Sequence, residues 1–210
     1  MPISETPARI EPCLIESAKG DLLDLVAELP ALAAQLSNRL HPKTAENLAG
    51  LVRVMNCYYS NLIEGHNTRP RDIERALVND LDTDDRRRDL QLEARAHIRV
   101  QAEIDRMHQA GQLPPPASAD FIRWLHVEFY RDAPDSTLRI AGAGRELVLE
   151  PGRFRTRPEE DVSVGRHQPP SSHAVEAFMS YFEGRYALAR SGLATKILAL
   201  PAAELYSPIP

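Results

Sequence analysis

Apolar residues recur every three or four positions through most of the first half of the chain, which is the spacing of one face of an α-helix. The first stripe predicts a short helix that ends before Pro30; it consists of Leu22, Leu23, Val26 and Leu29. A second helix is predicted over residues 31–40. A longer stripe predicts an amphipathic helix from about Thr44 to Glu64, with Gly65 as its stop; its apolar members are Leu48, Val52, Met55, Tyr59 and Leu62.

Two further helices are predicted in the first half. Thr68 has the side chain and the position of an N-cap for a helix over residues 71–77. An acidic cluster at residues 82–85 precedes a long helix that is predicted to run to about Ala110.

The best candidate for a domain boundary is the segment 111–117, which contains one glycine and three consecutive prolines. Such a composition disrupts regular structure. We therefore predict one domain over residues 1–112 and a second over residues 113–210.

The second half mixes helical and extended signals. Ser118 is a predicted cap for a helix that contains Phe121, Leu125 and Phe129. Apolar runs at 138–140 and 147–149 flank a glycine-containing turn, which predicts a β-hairpin. The remaining predictions are a turn at Pro151 and Gly152, an extended segment at 162–165, and helices at about 172–190 and 193–203. The predicted fold class is mostly α with a small β-hairpin.

Composition excludes several classes of protein. With 43% hydrophobic residues in a chain of 210, wholesale disorder is excluded and one large or two small domains can form. The 25 basic and 30 acidic residues give a formal charge of −5, so the basic surface of a nucleic-acid binder is absent and no direct nucleic-acid partner is predicted.

Cysteine use and the N-terminal residues bear on the compartment. Cys13 and Cys57 are the only cysteines in the sequence, which is typical of a reducing compartment. No signal-peptide pattern and no apolar run of transmembrane length occurs, so the expectation is a cytoplasmic protein with no membrane partner. No histidine stands in a spacing typical of metal ligands, so no metal site is predicted.

Six residues carry a more specific signal: Ser60-Asn61-Leu62-Ile63-Glu64-Gly65. The segment resembles the self-inhibitory motif of Fic proteins, Ser/Thr-x-x-x-Glu-Gly/Asn. Fic enzymes, whose catalytic region is the Fido domain, transfer AMP from ATP to hydroxyl side chains of other proteins. The resemblance implies that Glu64, together with Ser60 and Gly65, is autoinhibitory and holds an ATP site shut.

The resemblance extends over almost the whole chain, to about Ala203. Four segments are similar to the inhibitory helix with the helix after it, the first core helix, the flap, and the helix before the catalytic loop: residues 56–77, 121–130, 151–170 and 195–200. This likeness implies a truncated Fic-type helical bundle. Residues 1–112 would hold the inhibitory helix, and residues 113–210 an incomplete Fido core with its flap.

The flap implies a protein partner. In Fic enzymes it pairs with the target peptide as an added strand, through main-chain hydrogen bonds that do not depend on the target sequence. By resemblance, the docking edge consists of Val162, Ser163, Val164 and Gly165. The implied partner is the protein substrate of the intact family.

The inhibitory role of Glu64 has a physical basis. In the family, the final arginine of the catalytic signature holds the γ-phosphate of ATP. A carboxylate that pairs with this arginine by a charge-assisted, often bidentate bond displaces the γ-phosphate. Ser60 lies one helical turn earlier on the same face and could fix the glutamate. A carboxylate near a helix C-terminus is disfavoured by roughly 0.3–1 kcal/mol, which hints at a cationic partner.

The catalytic signature itself is missing. No His-Pro-Phe-x-Asp/Glu-Gly-Asn-Gly-Arg-x-x-Arg segment occurs in the 210 residues. In the family it supplies the general base, the magnesium ligand, the phosphate-binding loop and the arginines. ATP and Mg are thus cofactors of the intact family, none is expected to bind productively to this chain, and no catalytic residue is assigned.

The last seven residues, 204–210, do not resemble the family. Suitable codons for them together with a following stop codon TGA, read one base later, encode Asn-Tyr-Ile-His-Pro-Phe-Pro-Asp/Glu, which is how the signature is expected to begin. The hypothesis is a frameshift just after Ala203. An alternate reading frame in the source DNA that encodes the rest of the signature would support it.

Three functions compete. The first is a truncated Fic-family adenylyltransferase without activity. The second is an antitoxin-like regulator that inhibits an intact Fic enzyme in trans through the Ser60 to Gly65 helix, which makes that enzyme a possible partner. The third is a plain helical interaction domain. A homodimer is a further possible assembly.

Overall fold

The structure is a computed structural model that describes residues 5–12, 15, 19–66, 68–142, 145–163, 168–187 and 197. This part of the chain is mostly helical and contains a small two-stranded antiparallel sheet, which confirms the predicted class. The chain forms two compact units: Met1–Arg39, Pro115–Phe121 and Phe154–Pro210 make one, and Leu40–Pro114 and Ile122–Arg153 the other. The domain boundary at residue 112 stays a prediction.

Helix α1 (Gly20–Arg39) runs through Pro30 without a break, so the prediction of two helices separated there is wrong. A proline inside a helix lacks the N–H donor and costs about 3 kcal/mol. Residues 31–36 are alanine, leucine and glutamine, all strong helix formers, and they continue the helix beyond the proline.

Helices α2 (Pro42–Ile63), α3 (Pro70–Leu77) and α4 (Asp85–Gln109) agree with three predicted helices. The predicted cap of α3 is wrong, because the N-cap residue is Arg69 and not Thr68. Pro70 at the first helical position fixes the backbone there and sets the start one residue later than a threonine cap requires.

The core of the second unit lies where these three helices meet. Its buried members are Val54, Cys57, Ile73, Ala94 and Ile98. Cys57 and Ile73 are fully buried, with no exposed surface. The Cys57 thiol donates to the Ala94 carbonyl oxygen at 3.7 Å.

Burial of Cys57 gives the protein a pH-dependent stability. Burial, with a smaller contribution from the Glu93 charge, raises the pKa of the thiol from 9.0 to about 11. A raised pKa in the folded state means that the stabilisation is complete below pH 9.0 and is lost as the pH rises toward about 11. We expect the free energy of unfolding, measured by urea denaturation, to fall through this interval by up to about 1.4 kcal/mol per pH unit.

Cys57→Ala is the control for this measurement. It should be less stable at pH 7 because it leaves a cavity, but its stability should fall less steeply between pH 9 and 11 because the titrating thiol is gone. Equal slopes for the two proteins would contradict the assignment to Cys57.

The second half of the chain begins with α5 (Ala119–Tyr130), whose predicted cap is confirmed: Ser118 Oγ accepts from the Phe121 N–H at 3.2 Å. After the short helix α6 (Asp135–Leu138), β1 (Arg139–Gly142) and β2 (Arg145–Val148) form the predicted hairpin. The strands are antiparallel, with Arg139 opposite Val148. Helix α7 (Val175–Arg185) starts later than predicted, because residues 172–174 form a turn.

Two predictions fall on residues that are not described. The last predicted helix, 193–203, lies outside the described residues except for Ile197. Val164 and Gly165 of the predicted extended segment also lie outside them, and Val162 and Ser163 belong to no strand.

In the first unit, Glu11 ties the N-terminal segment to α7. Its carboxylate accepts from Arg185 Nε at 2.9 Å and from the Tyr181 hydroxyl. The bond to Arg185 is the main cause that lowers the pKa of Glu11. These contacts hold the 3-10 helix Pro7–Ile10 beside α7. No helix in the described part of the chain has both the length and the apolar composition of a bilayer span.

Candidate functional site at the end of helix α2

The backbone fixes where α2 stops. Gly65 has a φ of +78°, in the left-handed region that favours glycine. Its N–H donates to the Leu62 carbonyl at 3.1 Å, and the His66 N–H donates to the Asn61 carbonyl at 2.7 Å. These two bonds form a Schellman motif. The predicted helix stop at Gly65 is confirmed, and Glu64 is the C-cap residue.

Ser60 and Glu64 are exposed although they border the buried face of α2. Cys57 and Asn61, one turn apart, lie on that face, and Asn61 is only 5% exposed. Glu64 follows Cys57 by seven residues, so helical spacing places it beside this face and not opposite to it. The Glu64 N–H donates to the Ser60 carbonyl at 3.1 Å, and both residues are exposed. Glu64 is the C-cap residue, so its exposure coincides with the end of the helix.

The carboxylate of Glu64 has no hydrogen-bond or ion-pair partner among the described residues. The hydroxyl of Ser60 does not bond to it in this part of the chain, so the suggested fixing by Ser60 stays a prediction. Three apolar residues in the last two turns of α2 are also exposed: Tyr59, Leu62 and Ile63 expose 54%, 49% and 82% of their surface. The end of α2 thus presents an unpaired carboxylate and, on another side of the helix, an exposed apolar surface.

His66, the residue after the motif, lies close to a side chain of α4. His66 Nδ1 lies 3.6 Å from Glu93 Oε1 of α4, which is ion-pair distance when the imidazole is protonated and too long for a hydrogen bond. This pair borders a cavity of about 440 Å³ that α4 and the end of α5 also line. Sequence reasoning missed His66, because only the packing of α2 on α4 brings the two side chains together.

The turn predicted at Pro151 and Gly152 is confirmed and packs on α5. The Gly152 N–H donates to His126 Nδ1 at 3.0 Å. Burial lowers the pKa of His126, which favours the neutral imidazole that can accept this bond. The start of the flap-like segment is thereby anchored to α5 within the second unit.

In the first unit, the predicted docking edge follows the 3-10 helix Pro158–Glu160. Val162 and Ser163 are exposed and unpaired in any described strand, so their main-chain groups are accessible. Val164 and Gly165 lie outside the described residues. Docking of a protein substrate at this edge stays a prediction.

The residues at the end of α2 do not fit a nucleotide with its magnesium. The N–H groups of Gly65 and His66 are already used by the Schellman motif, so they are not free to bind phosphate. The Glu64 carboxylate would repel the phosphates. The family's donor set for ATP belongs to a signature that the 210 residues do not contain.

The chain was also compared with known proteins. No family model, curated protein or solved structure matches it. The resemblance to Fic proteins therefore rests on the motif and its flanking segments, and function has to be argued from these residues and their geometry.

Proposed function

We propose that the chain is a Fic-family protein without adenylyltransferase activity of its own, and that the end of α2 is its inhibitory element. The six-residue motif and the similar flanking segments support the family. The absence of the catalytic signature from the 210 residues supports the lack of activity. The chain holds the residues that inhibit AMP transfer and lacks those that perform it.

A second function, inhibition of an intact Fic enzyme in trans, is favoured by one observation. Glu64 is exposed, and its carboxylate has no partner among the described residues. An inhibitory glutamate needs an arginine, and this carboxylate is accessible to one on another chain. A bidentate pair with the arginine that binds the γ-phosphate would exclude ATP in its productive position.

The geometry suits this role because the C-terminal cap of α2 restricts the backbone conformation of Glu64. The Schellman motif fixes the backbone on both sides of Glu64, so docking costs little backbone entropy. The exposed Tyr59, Leu62 and Ile63 add apolar surface that a partner can bury. Charge supplies specificity and the apolar surface supplies affinity.

The test uses an intact Fic adenylyltransferase whose own inhibitory glutamate is replaced by glycine. AMP transfer to protein is measured from labelled ATP with magnesium, with increasing amounts of this chain. We expect the chain to reduce the rate and Glu64→Gln to weaken the inhibition roughly tenfold or more, the value of a lost hydrogen bond to a charged group.

Glu74→Gln is the matched control, because Glu74 is also an exposed glutamate with no partner among the described residues. It should inhibit as the wild type does. Equal inhibition by the Glu64 variant would refute the action in trans. Labelling of any protein when this chain is the only Fic protein present would refute the lack of activity.

A further inference from the structure

We propose that the cavity beside the N-terminus of α3 binds a small molecule through a phosphate group. The cavity has a volume of about 570 Å³, within the range of small-molecule sites. Its walls come from α3, the segment before it and the first half of α4. The lining residues are Thr68, Arg69, Arg71, Asp72, Arg75, Asp82, Arg87, Leu90 and Gln91.

The charge of this lining is opposite to that of the chain. Four arginines face two aspartates there, whereas the whole chain carries −5. Arg75 is neutralised by Asp80, with Nε 2.7 Å from Oδ2. Arg69 and Arg71 have no ion-pair or hydrogen-bond partner for their side chains among the described residues. Two guanidinium groups are therefore available to an anion.

Thr68 also lines the cavity, but not through its hydroxyl. The residue is 4% exposed, and its Oγ1 has less than 1 Å² of accessible surface. Recognition of an anion therefore depends on the two arginines.

The wall opposite Thr68 is rigid. Gln91 is 2% exposed; its amide donates to the Asp72 carbonyl at 3.1 Å and its Oε1 accepts from the Asp82 N–H at 2.6 Å. These bonds join α4 to both ends of the α3 segment and hold the cavity open. The start of α3 adds the positive end of a helix dipole.

The chemistry favours phosphate. A planar guanidinium binds phosphate oxygens in pairs, and a helix N-terminus favours negative charge. A cavity of this volume in an acidic chain is suited to a small phosphorylated molecule and not to a nucleic-acid backbone. The cavity shares no residue with Ser60–Gly65, so the inference is independent of the inhibitory role of Glu64.

Titration calorimetry of the full chain with sodium pyrophosphate at low salt tests the proposal, with orthophosphate as a parallel probe. Tighter binding of pyrophosphate would assign a ligand with adjacent phosphates, and equal binding a ligand with a single phosphate. We expect Arg71→Glu to lower the affinity roughly tenfold or more. A glutamate in the first turn of a helix is favourable, so this variant should fold, which circular dichroism checks.

Arg39→Glu is the control of equal charge, because Arg39 is an exposed arginine outside the cavity with no partner among the described residues. It should bind pyrophosphate within about twofold of the wild type, because Arg39 does not line the cavity. No binding by the wild type, or equal losses in the two arginine variants, would overturn the proposal.

Thr68→Val tests the lining without changing its charge, since it keeps the shape and removes a hydroxyl that has almost no accessible surface. We expect pyrophosphate affinity within about twofold of the wild type and an unchanged or higher Tm without ligand, because the hydroxyl makes no bond to the described protein. A loss of affinity as large as that of Arg71→Glu in a folded variant would show that the arginines are not the main ligands, and that result would also overturn the proposal.

Discussion

Gly152→Ala is expected to lower the free energy of unfolding by about 2–4 kcal/mol, the sum of backbone strain and overpacking. Gly152 has a φ of +81°, where an alanine is strained. A Cβ atom there would lie 2.5 Å from Val127 Cγ2 and 3.3 Å from the Arg123 carbonyl oxygen. The valine is stiff and the carbonyl belongs to α5, so neither contact is easily relieved. Urea denaturation followed by circular dichroism measures the loss.

A second substitution identifies the cause. Val127 is 42% exposed, so Val127→Ala alone should cost little. In the double variant the shortest contact disappears and only the backbone strain and the Arg123 contact remain. We expect the two substitutions to couple favourably by about 1 kcal/mol or more in a double-mutant cycle. Strictly additive effects would show that the contact with Val127 is not the cause.

Gly50→Ala is the control for the effect of glycine itself. Gly50 lies inside α2, and a Cβ there would meet no atom within 4 Å. This substitution should stabilise the protein by roughly 0.5–1 kcal/mol, because glycine costs that much in a helix. A loss of stability for Gly152→Ala and a gain for Gly50→Ala would show that the surroundings of each glycine decide the effect of the added methyl group.

The end of α2 was predictable from the sequence because its determinants are local. Gly65 adopts the left-handed conformation without strain, and this fixes where the helix stops. The same applies to Ser118, whose hydroxyl caps the helix that follows it. In both places the structure depends on residues within two helical turns. The buried face of α2 was predicted wrongly, because Leu48, Val52, Tyr59 and Leu62 of the apolar stripe are exposed and the core members of α2 are Val54 and Cys57.

The two wrong helix-boundary predictions, at Pro30 and Thr68, arose where two local preferences competed. Pro30 predicts a break, yet strong helix formers on its C-terminal side keep α1 intact. Thr68 is the better cap by side chain, but Pro70 sets the start of α3 and gives the cap position to Arg69. A sequence pattern states each preference without stating which one prevails.

The candidate sites also differ in how far the sequence alone predicts them. The exposed position of Glu64 coincides with the end of α2, which the glycine that follows it indicates. The His66–Glu93 pair and the arginine-lined cavity join residues that are far apart in sequence. No periodicity indicates them, because they depend on how α2, α3 and α4 pack together.

The packing of α2, α3 and α4 can be tested at Ile73. Ile73→Ala should lower the free energy of unfolding by about 2–5 kcal/mol, whereas Ile73→Val should lower it by only about 0.5–1.5 kcal/mol. Ile73 is fully buried and lies in the core between α2 and α4. Truncation leaves a cavity that fixed helices cannot fill. Urea denaturation measures both variants, and a cost below about 1 kcal/mol for the alanine would show that the helices close the gap.

The proposed inhibition in trans gives these variants a second readout. Ile73 supports α2 through the core, whereas Glu64 is exposed at the end of the helix and is not a member of the core cluster. Under that proposal, the valine variant should inhibit a Fic enzyme as the wild type does wherever it is folded. The alanine variant should lose inhibition only in proportion to its unfolded fraction, in contrast to Glu64→Gln, which is expected to lose inhibition while folded.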